Sequence, residues 1–418
     1  MLWVLFLLSF TTVLHASPAR LAAMGTQPFF RSTGVTANPN TGVTENSDIN
    51  IVNGSLWYDD EYNIFYNPSF INDNRNLVTI SKGIEAGVFL SLLENFVSGV
   101  YFNRGGGNGP QSVYDEVGLV GPGLNARPDL VGTLGVQSLD TQRPLDFFFG
   151  GDTWVKWGVH VSWAYNRDQV TRATLTEPGN QTTARYWHVD LGAQVLGLEP
   201  FLGTTIFSRV ENTGGFLGAN QGIQNLNEFN AGLRFKYDNW WPYVVFHKYR
   251  EGGTPFTPVA ANNVTQVQTT MNIWGVGLSH QMKLAEGVTL YKNATFYFNK
   301  VKDTTTTTAA LRAYSQYIIP FNVALEAAIT DWFTLRGSGA FDFVNERRIP
   351  SPQLAPAKQK QSQVGTLEFR IGSSLQFSKF QLDWAFGSTA LGAPTNLDAT
   401  NIGFDAQFFS LLSASYRW

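Results

Sequence analysis

Trp154-Val155-Lys156-Trp157-Gly158-Val159-His160-Val161-Ser162-Trp163-Ala164-Tyr165-Asn166 alternates in character almost without a break. In an extended chain Val155, Trp157, Val159, Val161, Trp163 and Tyr165 share one face, and Lys156, Gly158, His160, Ser162 and Asn166 share the other. A strand in a water-soluble sheet usually has about five or six residues. A strand that crosses a bilayer needs roughly nine to eleven tilted residues, apolar toward lipid and polar toward a lumen. The stretch has the second form.

The same period runs along the rest of the chain. It predicts strands near 76–81, 85–92, 97–103, 145–150, 154–166, 185–196, 200–208, 228–238, 242–249, 270–283, 288–299, 314–329, 333–343, 364–377, 379–387 and 407–418. That is an all-β chain forming a transmembrane antiparallel β-barrel of about sixteen strands. Fourteen is the alternative, because the first turn at Lys82-Gly83 is short where a long loop is expected. Connections alternate between short ones (Glu94-Asn95, Gly151-Asp152, Asp238-Asn239, Asp331, Ser378) and long ones (104–144, 167–184, 209–227, 250–269, 300–313, 344–363, 388–406). Membrane barrels of bacteria place short turns on the periplasmic side and long loops outside.

The period assigns faces. Lys156, His160, His188, Asp190, Glu228, Arg234, Lys236, Arg336, Asp342, Glu368 and Arg370 fall on the lumenal side as pore-lining residues. A charge facing lipid at mid-membrane costs about 2–4 kcal/mol, so a register slip of one is prohibitive. Trp154, Trp240, Trp241, Trp332 and Trp418 fall at predicted short-turn ends, where amphipathic rings suit the headgroup level. The last strand alternates Leu412, Ala414, Tyr416 and Trp418 up to the terminus. Tyr416 and Trp418 resemble the C-terminal signal by which the outer-membrane barrel assembly machinery recognises its clients.

Composition agrees. Only 15% of the 418 residues are charged, against 14% aromatic with 12 Trp, which suits a wall facing lipid. A net charge of −3 gives no bulk attraction to nucleic acid. The absence of cysteine removes disulfide scaffolds and thiolate metal sites. Residues 2–14 are an apolar core too short to span as an anchor, followed by small residues suited to cleavage after Ala16 or Ala19, so 1–19 reads as a secretory signal. No Lys or Arg precedes Arg20, so the usual basic n-region is missing.

Residues 20–75 lack the barrel period, are polar, and still carry Phe29, Phe30, Trp57, Tyr58, Phe65, Tyr66 and Phe70. So many large aromatics need a surface to pack on, and the lumen of a barrel over 76–418 is the nearest. The run Arg20-Leu21-Ala22-Ala23-Met24-Gly25, then Asp59-Asp60 and Tyr66-Asn67-Pro68-Ser69, resembles the mature N-terminus of the long-chain fatty acid transporter superfamily. Ser69 stands where that family usually has Ala. The resemblance covers about the first 90 residues. It implies a hatch inside the barrel, with Asp59, Asp60, Asn67 and Pro68 as its motif, and a hydrophobic ligand. That family has fourteen strands, whereas the period here gives sixteen. The whole chain is more weakly similar to major outer-membrane proteins of predatory bacteria.

The five histidines are His15, His160, His188, His247 and His280. They lack metal-ligand spacing, and no Ser-His-Asp set is fixed by the sequence. The expectation is therefore no enzyme, no metal and no cofactor. The barrel reads as a bacterial outer-membrane porin-like channel for small solutes, with mixed charges facing one another across water. Ligand-gated uptake of hydrophobic compounds is one alternative, and a mainly structural or adhesive barrel is another. Expected partners are outer-membrane lipid and lipopolysaccharide, the assembly machinery and the solute, with a homo-oligomer possible by analogy and no nucleic acid.

Overall fold

The computed structural model describes residues 17–25, 30–32, 35–37, 44–46, 49–51, 55–81, 85–102, 145–170, 180–213, 222–254, 267–303, 313–349, 359–364, 368–389 and 407–418. The strands are β1 (Leu77–Ser81), β2 (Glu85–Leu93), β3 (Phe96–Phe102), β4 (Leu145–Asp152), β5 (Lys156–Val170), β6 (Asn180–Gln194), β7 (Leu198–Thr213) and β8 (Gly222–Phe235). They continue as β9 (Trp240–Thr254), β10 (Val267–Ala285), β11 (Val288–Asp303), β12 (Ala313–Thr330), β13 (Phe333–Ile349), β14 (Gln359–Val364 with Glu368–Phe377), β15 (Phe380–Thr389) and β16 (Gln407–Arg417). Each pairs with its chain neighbours, and β16 closes on β1 from Ser413↔Ser81 to Arg417↔Leu77. The result is a closed antiparallel barrel of sixteen strands, so the fourteen-strand alternative is excluded. Closure leaves no sheet edge, which a lipid environment demands of any strand-built span.

The strands run further into the long connections than the alternation predicted; β5 reaches Val170 and β7 reaches Thr213. Beyond the apolar band both faces meet water, so the hydrophobic pattern stops while the backbone ladder continues. Short turns are tight. Leu196-Gly197, with φ of 50° and 81°, joins β6 to β7 as a two-residue loop of the type that suits hairpin twist. The turn after β4 falls at 153–155 rather than at Gly151-Asp152, which belong to the strand. Lys82-Gly83 and the loop 104–144 lie outside the described residues.

Outward faces are apolar. Trp157, Trp187, Leu191, Phe229, Leu233, Trp274, Val276, Phe369 and Ile371 are all exposed. No helix among the described residues is long and apolar enough to cross a membrane. Inward faces are buried, and the two longest described pieces of the N-terminal segment, 17–25 and 55–76, pack against them. Ideal Cβ atoms on the inward-facing Gly158 and Gly372 would meet Pro68 O at 2.1 Å and Ala23 Cβ at 2.5 Å.

Candidate functional site in the lumen

The first piece is a single helical turn, α1 (Pro18–Ala23). Ser17 caps it by accepting from the Arg20 N–H at 3.1 Å, and Pro18 opens it with a φ already suited to helix. Gly25, at φ +68°, ends it in the left-handed region. Its small face, Ala19, Ala22 and Ala23, lets the backbone lie close to β15 and β16 beside Ala385 and Leu411.

This turn aims Arg20 at β12, the strand beside β13. Its Nε and Nη2 donate to the two carboxylate oxygens of Glu326 at 3.0 and 3.3 Å. Nη1 donates to the Asp59 carbonyl at 2.8 Å and to the Asp60 carboxylate at 3.2 Å. Glu326 also accepts from Arg336 at 2.6 Å, and Arg336 donates to Asp383 at 3.0 Å. A buried ladder of alternating charge thus runs from the N-terminal segment through β12 and β13 to β15.

The second piece carries two 3₁₀ turns, Glu61–Phe65 and Pro68–Asp73, capped by the side chains of Asp60 and Asn67. Asn67 donates to the Ala193 carbonyl at 3.3 Å and Asn72 to the Trp157 carbonyl at 2.9 Å, so the turns hang on the backbones of β6 and β5. Phe65 sits edge-on to Tyr101 and Phe148 at 5.1 and 5.4 Å, and Tyr66 to Phe201 at 5.0 Å. Edge-on pairs suit the ring quadrupoles and add to the area they bury.

A second ionic anchor joins this piece to β7 and β8. Arg234 donates to Asp59 at 2.8 Å and to Glu199, while Lys236 contacts the same two carboxylates at 2.8 and 2.9 Å. Both cations lie over the Trp241 ring at 4.9 Å. Trp241 therefore faces inward and is buried, which corrects its assignment to the headgroup girdle. Its neighbour Trp240 faces out, and one residue in a strand reverses the face. Asp59 is half-exposed, and the Arg234 and Lys236 cations beside it hold its carboxyl below the ordinary value of 3.8. Lys156 pairs with Asp73 at the short-turn rim.

Deeper along β4, β5, β6, β8 and β9 lies a row of carboxylates and imidazoles. His160 contacts Asp146 at 2.8 Å through Nε2 and Asp190 at 2.7 Å through Nδ1. Asp190 is 3.0 Å from His188, and Glu228 lies 4.0 Å from His188 and 3.7 Å from His247. No group of three or more such residues among the described residues has the arrangement of a metal site.

Nine of the eleven expected lumenal residues have described side chains. Lys156, His160, His188, Asp190, Glu228, Arg234, Lys236, Arg336 and Arg370 all face inward; the side chains of Asp342 and Glu368 lie outside the described residues. His160, His188, Asp190, Glu228, Arg234 and Arg336 are buried in direct contacts, where a row facing one another across water was expected. Among the described residues, pieces 17–25 and 55–76 of the N-terminal segment contact these walls directly. Asp59 and Asp60 ion-pair with the cations, and Asn67 and Pro68 open the second 3₁₀ turn. Tyr416 and Trp418 are exposed on the outer surface and stacked at 6.3 Å. Arg20, Glu199, Glu326, Asp146 and Asp383 were missed by the sequence reading as site residues. All but Arg20 occupy inward positions of the same alternation, which was the available signal.

No family model matches the chain, and no curated protein does. Among solved structures it is similar to the alcaligin outer membrane receptor FauA from Bordetella pertussis. That match has TM-score 0.42 and 10% identity, and covers 77% of this chain and 62% of that one. It is also similar to OmpT, an outer membrane protein of Vibrio cholerae, with TM-score 0.30 and 8% identity over 82% and 95% of the two chains. The β domain of the Bordetella autotransporter BrkA gives TM-score 0.31 and 12% identity over 63% and 98%. The barrel itself rests on its own closed ladder of strand pairs.

Proposed function

We propose that this chain is a bacterial outer-membrane transport barrel whose lumen is closed at rest by its own N-terminal segment. The carrying observation is the pair of ionic anchors, Arg20–Glu326 on β12 and Arg234–Asp59 on β8, with the 3₁₀ turns seated against β3 to β6. A wall apolar outside and charged inside has no use for a polar lumen unless a solute or the plug occupies it. Passage then requires the segment to shift, which favours gated uptake over the open, porin-like reading. The aromatic lining around Phe65 and Tyr66 and the fatty-acid-transporter-like motif favour a solute with a hydrophobic part. The inward charges of β5, β6 and β8 favour one with a polar part as well.

The test is swelling of liposomes that carry the refolded protein, with a neutral monosaccharide as osmolyte. The intact chain should swell at the rate of empty vesicles, and an Arg20→Gln/Arg234→Gln double variant several-fold faster. Rapid swelling with the intact chain would make it an open porin. No swelling with either form would leave a structural barrel.

A further inference from the structure

The ionic anchors leave one part of the lumenal wall unused. The described turns of the N-terminal segment pack mainly on β3 to β6 and on β13 to β16. Between those contacts lie β9 to β12, whose inward side chains within 243–247, 273–279, 293–299 and 318–324 include no Asp, Glu, Lys or Arg. Tyrosine, asparagine, threonine, glycine and aliphatic residues line this strip, with His247 at its upper edge on β9.

Two tyrosines lie across the strip because β10 has glycine beneath them. A Cβ at Gly277 would stand 2.1 Å from Tyr243 Cζ, and one at Gly275 2.5 Å from Tyr297 Cε1. Tyr243 thus reaches from β9 over β10 to β11, where its hydroxyl donates to Asn293 Oδ1 at 2.8 Å and meets the Thr295 hydroxyl. Asn293 Nδ2 donates to the same Thr295 oxygen at 3.2 Å.

Two further asparagines are not completed in this way. Asn322 pairs with Asn293 in the register, and Asn299 stands three inward positions above Asn293 on β11. They are 2% and 0% exposed, yet neither the carbonyl nor the amino group of either side chain meets a hydrogen-bond partner in the protein. Leaving a buried amide unpaired is costly, so each such group calls for something that completes it. Counted from the short-turn ends of their strands, Tyr243, Asn293, Thr295, Tyr297 and Asn299 stand three, five, seven, nine and eleven residues up. At about 3.3 Å per residue and a tilt of roughly 40° the series climbs about 20 Å along the barrel axis. It forms a track along the path of a solute.

We infer that this track binds the polar part of the transported solute and that this part is an uncharged sugar. Each unpartnered amide offers a donor and an acceptor side by side, which matches neighbouring hydroxyls. The tyrosine rings offer an apolar surface to the C–H face of a sugar ring, with a hydroxyl at their tip. A charged head would lose its hydration on this strip without meeting a countercharge. A pure hydrocarbon would leave the amides unpaired. The inference rests on the gated-transport reading, because the segment must shift before a solute reaches groups so buried.

The experiment is isothermal titration of maltotriose into the Arg20→Gln/Arg234→Gln protein in a sugar-free amine oxide detergent, with trigalacturonate as the charged probe. Maltotriose should bind, and trigalacturonate at least about tenfold more weakly. Adding Asn299→Leu/Asn322→Leu should weaken maltotriose at least about tenfold. The barrel should keep its heat-dependent gel mobility, since leucine fills similar space without unpaired groups. Arg20→Gln alone, which keeps the second anchor, should give the same ranking and serves if the double variant does not fold. Equal affinity with and without the leucines, or for the two probes, would overturn the track, and so would no binding at all. Binding of maltotriose by a protein whose liposomes do not swell would instead overturn the gate and keep the track.

Discussion

Arg20 and Glu326, 306 positions apart in the chain, meet through a two-pronged ion pair at 3.0 and 3.3 Å inside the barrel. Both are buried, so each charge depends on the other for its solvation. Removing one partner of such a pair costs about 3–5 kcal/mol, because the remaining charge stays in a dry site. Arg20→Gln should therefore release residues 17–25 to added protease. The barrel should keep its heat-dependent gel mobility, since its strand ladder is untouched. A segment still protected in the variant would show that this anchor is dispensable.

Glycine at 158 is set by what lies across from it. A Cβ there would stand 2.1 Å from the Pro68 carbonyl oxygen, a backbone atom that cannot swing aside, whereas at Gly337 the nearest atom is 3.9 Å away. Gly158→Ala should weaken docking of the second 3₁₀ turn by about 1–3 kcal/mol, as overpacking does. Gly337→Ala should leave it unchanged. Hydrogen exchange of residues 61–73 in the two variants compares them directly, and equal exchange would contradict the packing described.

The chain alternation showed every barrel strand, both faces of most of them, and the inward direction of all nine expected lumenal residues whose side chains are described. That information is local, because lipid on one side forces the period of two over any strand long enough to span. Trp241 was misassigned by grouping it with Trp240, although adjacent residues must point opposite ways. What no local pattern holds is the pairing of charges across the lumen. Arg20 reaches Glu326 and Arg234 reaches Asp59 only once the wall has closed and the segment has entered it. Which carboxylate serves which cation is thus a property of closure.

Asp59 gives the second anchor a pH limit. Arg234 and Lys236 hold its carboxyl below 3.8, so its contribution is present above that value and lost as pH falls through its lowered value. Protease protection of residues 55–76 should exceed that of Asp59→Asn by a constant factor from neutral pH to about pH 4. The two should converge as pH falls through the lowered value of the Asp59 carboxyl. A difference that persists unchanged in stronger acid would rule out the charge pairing as its source.

For the leader we propose over residues 1–19, the described residues distinguish the two candidate cleavage bonds. Ala19 is buried within α1, and Ser17 supplies the cap that Arg20 needs. Cleavage after Ala16 preserves both and cleavage after Ala19 removes both. Intact mass of the chain extracted from cell envelopes should fit a start at Ser17; a start at Arg20 would mean that α1 as described does not exist in the mature protein.

The central claim is that the N-terminal segment closes the barrel, and single-channel recording in a planar bilayer tests it most directly. An Ala19→Cys/Ser413→Cys pair joins α1 to β16 where the Ala19 N–H meets the Ser413 hydroxyl at 3.3 Å, in a chain with no other cysteine. Placed in the Arg20→Gln/Arg234→Gln background, it should be silent when oxidised and conduct in discrete steps when reduced, while the unaltered chain stays silent in both. Large, steady currents from the unaltered chain, indifferent to the tether, would contradict the account.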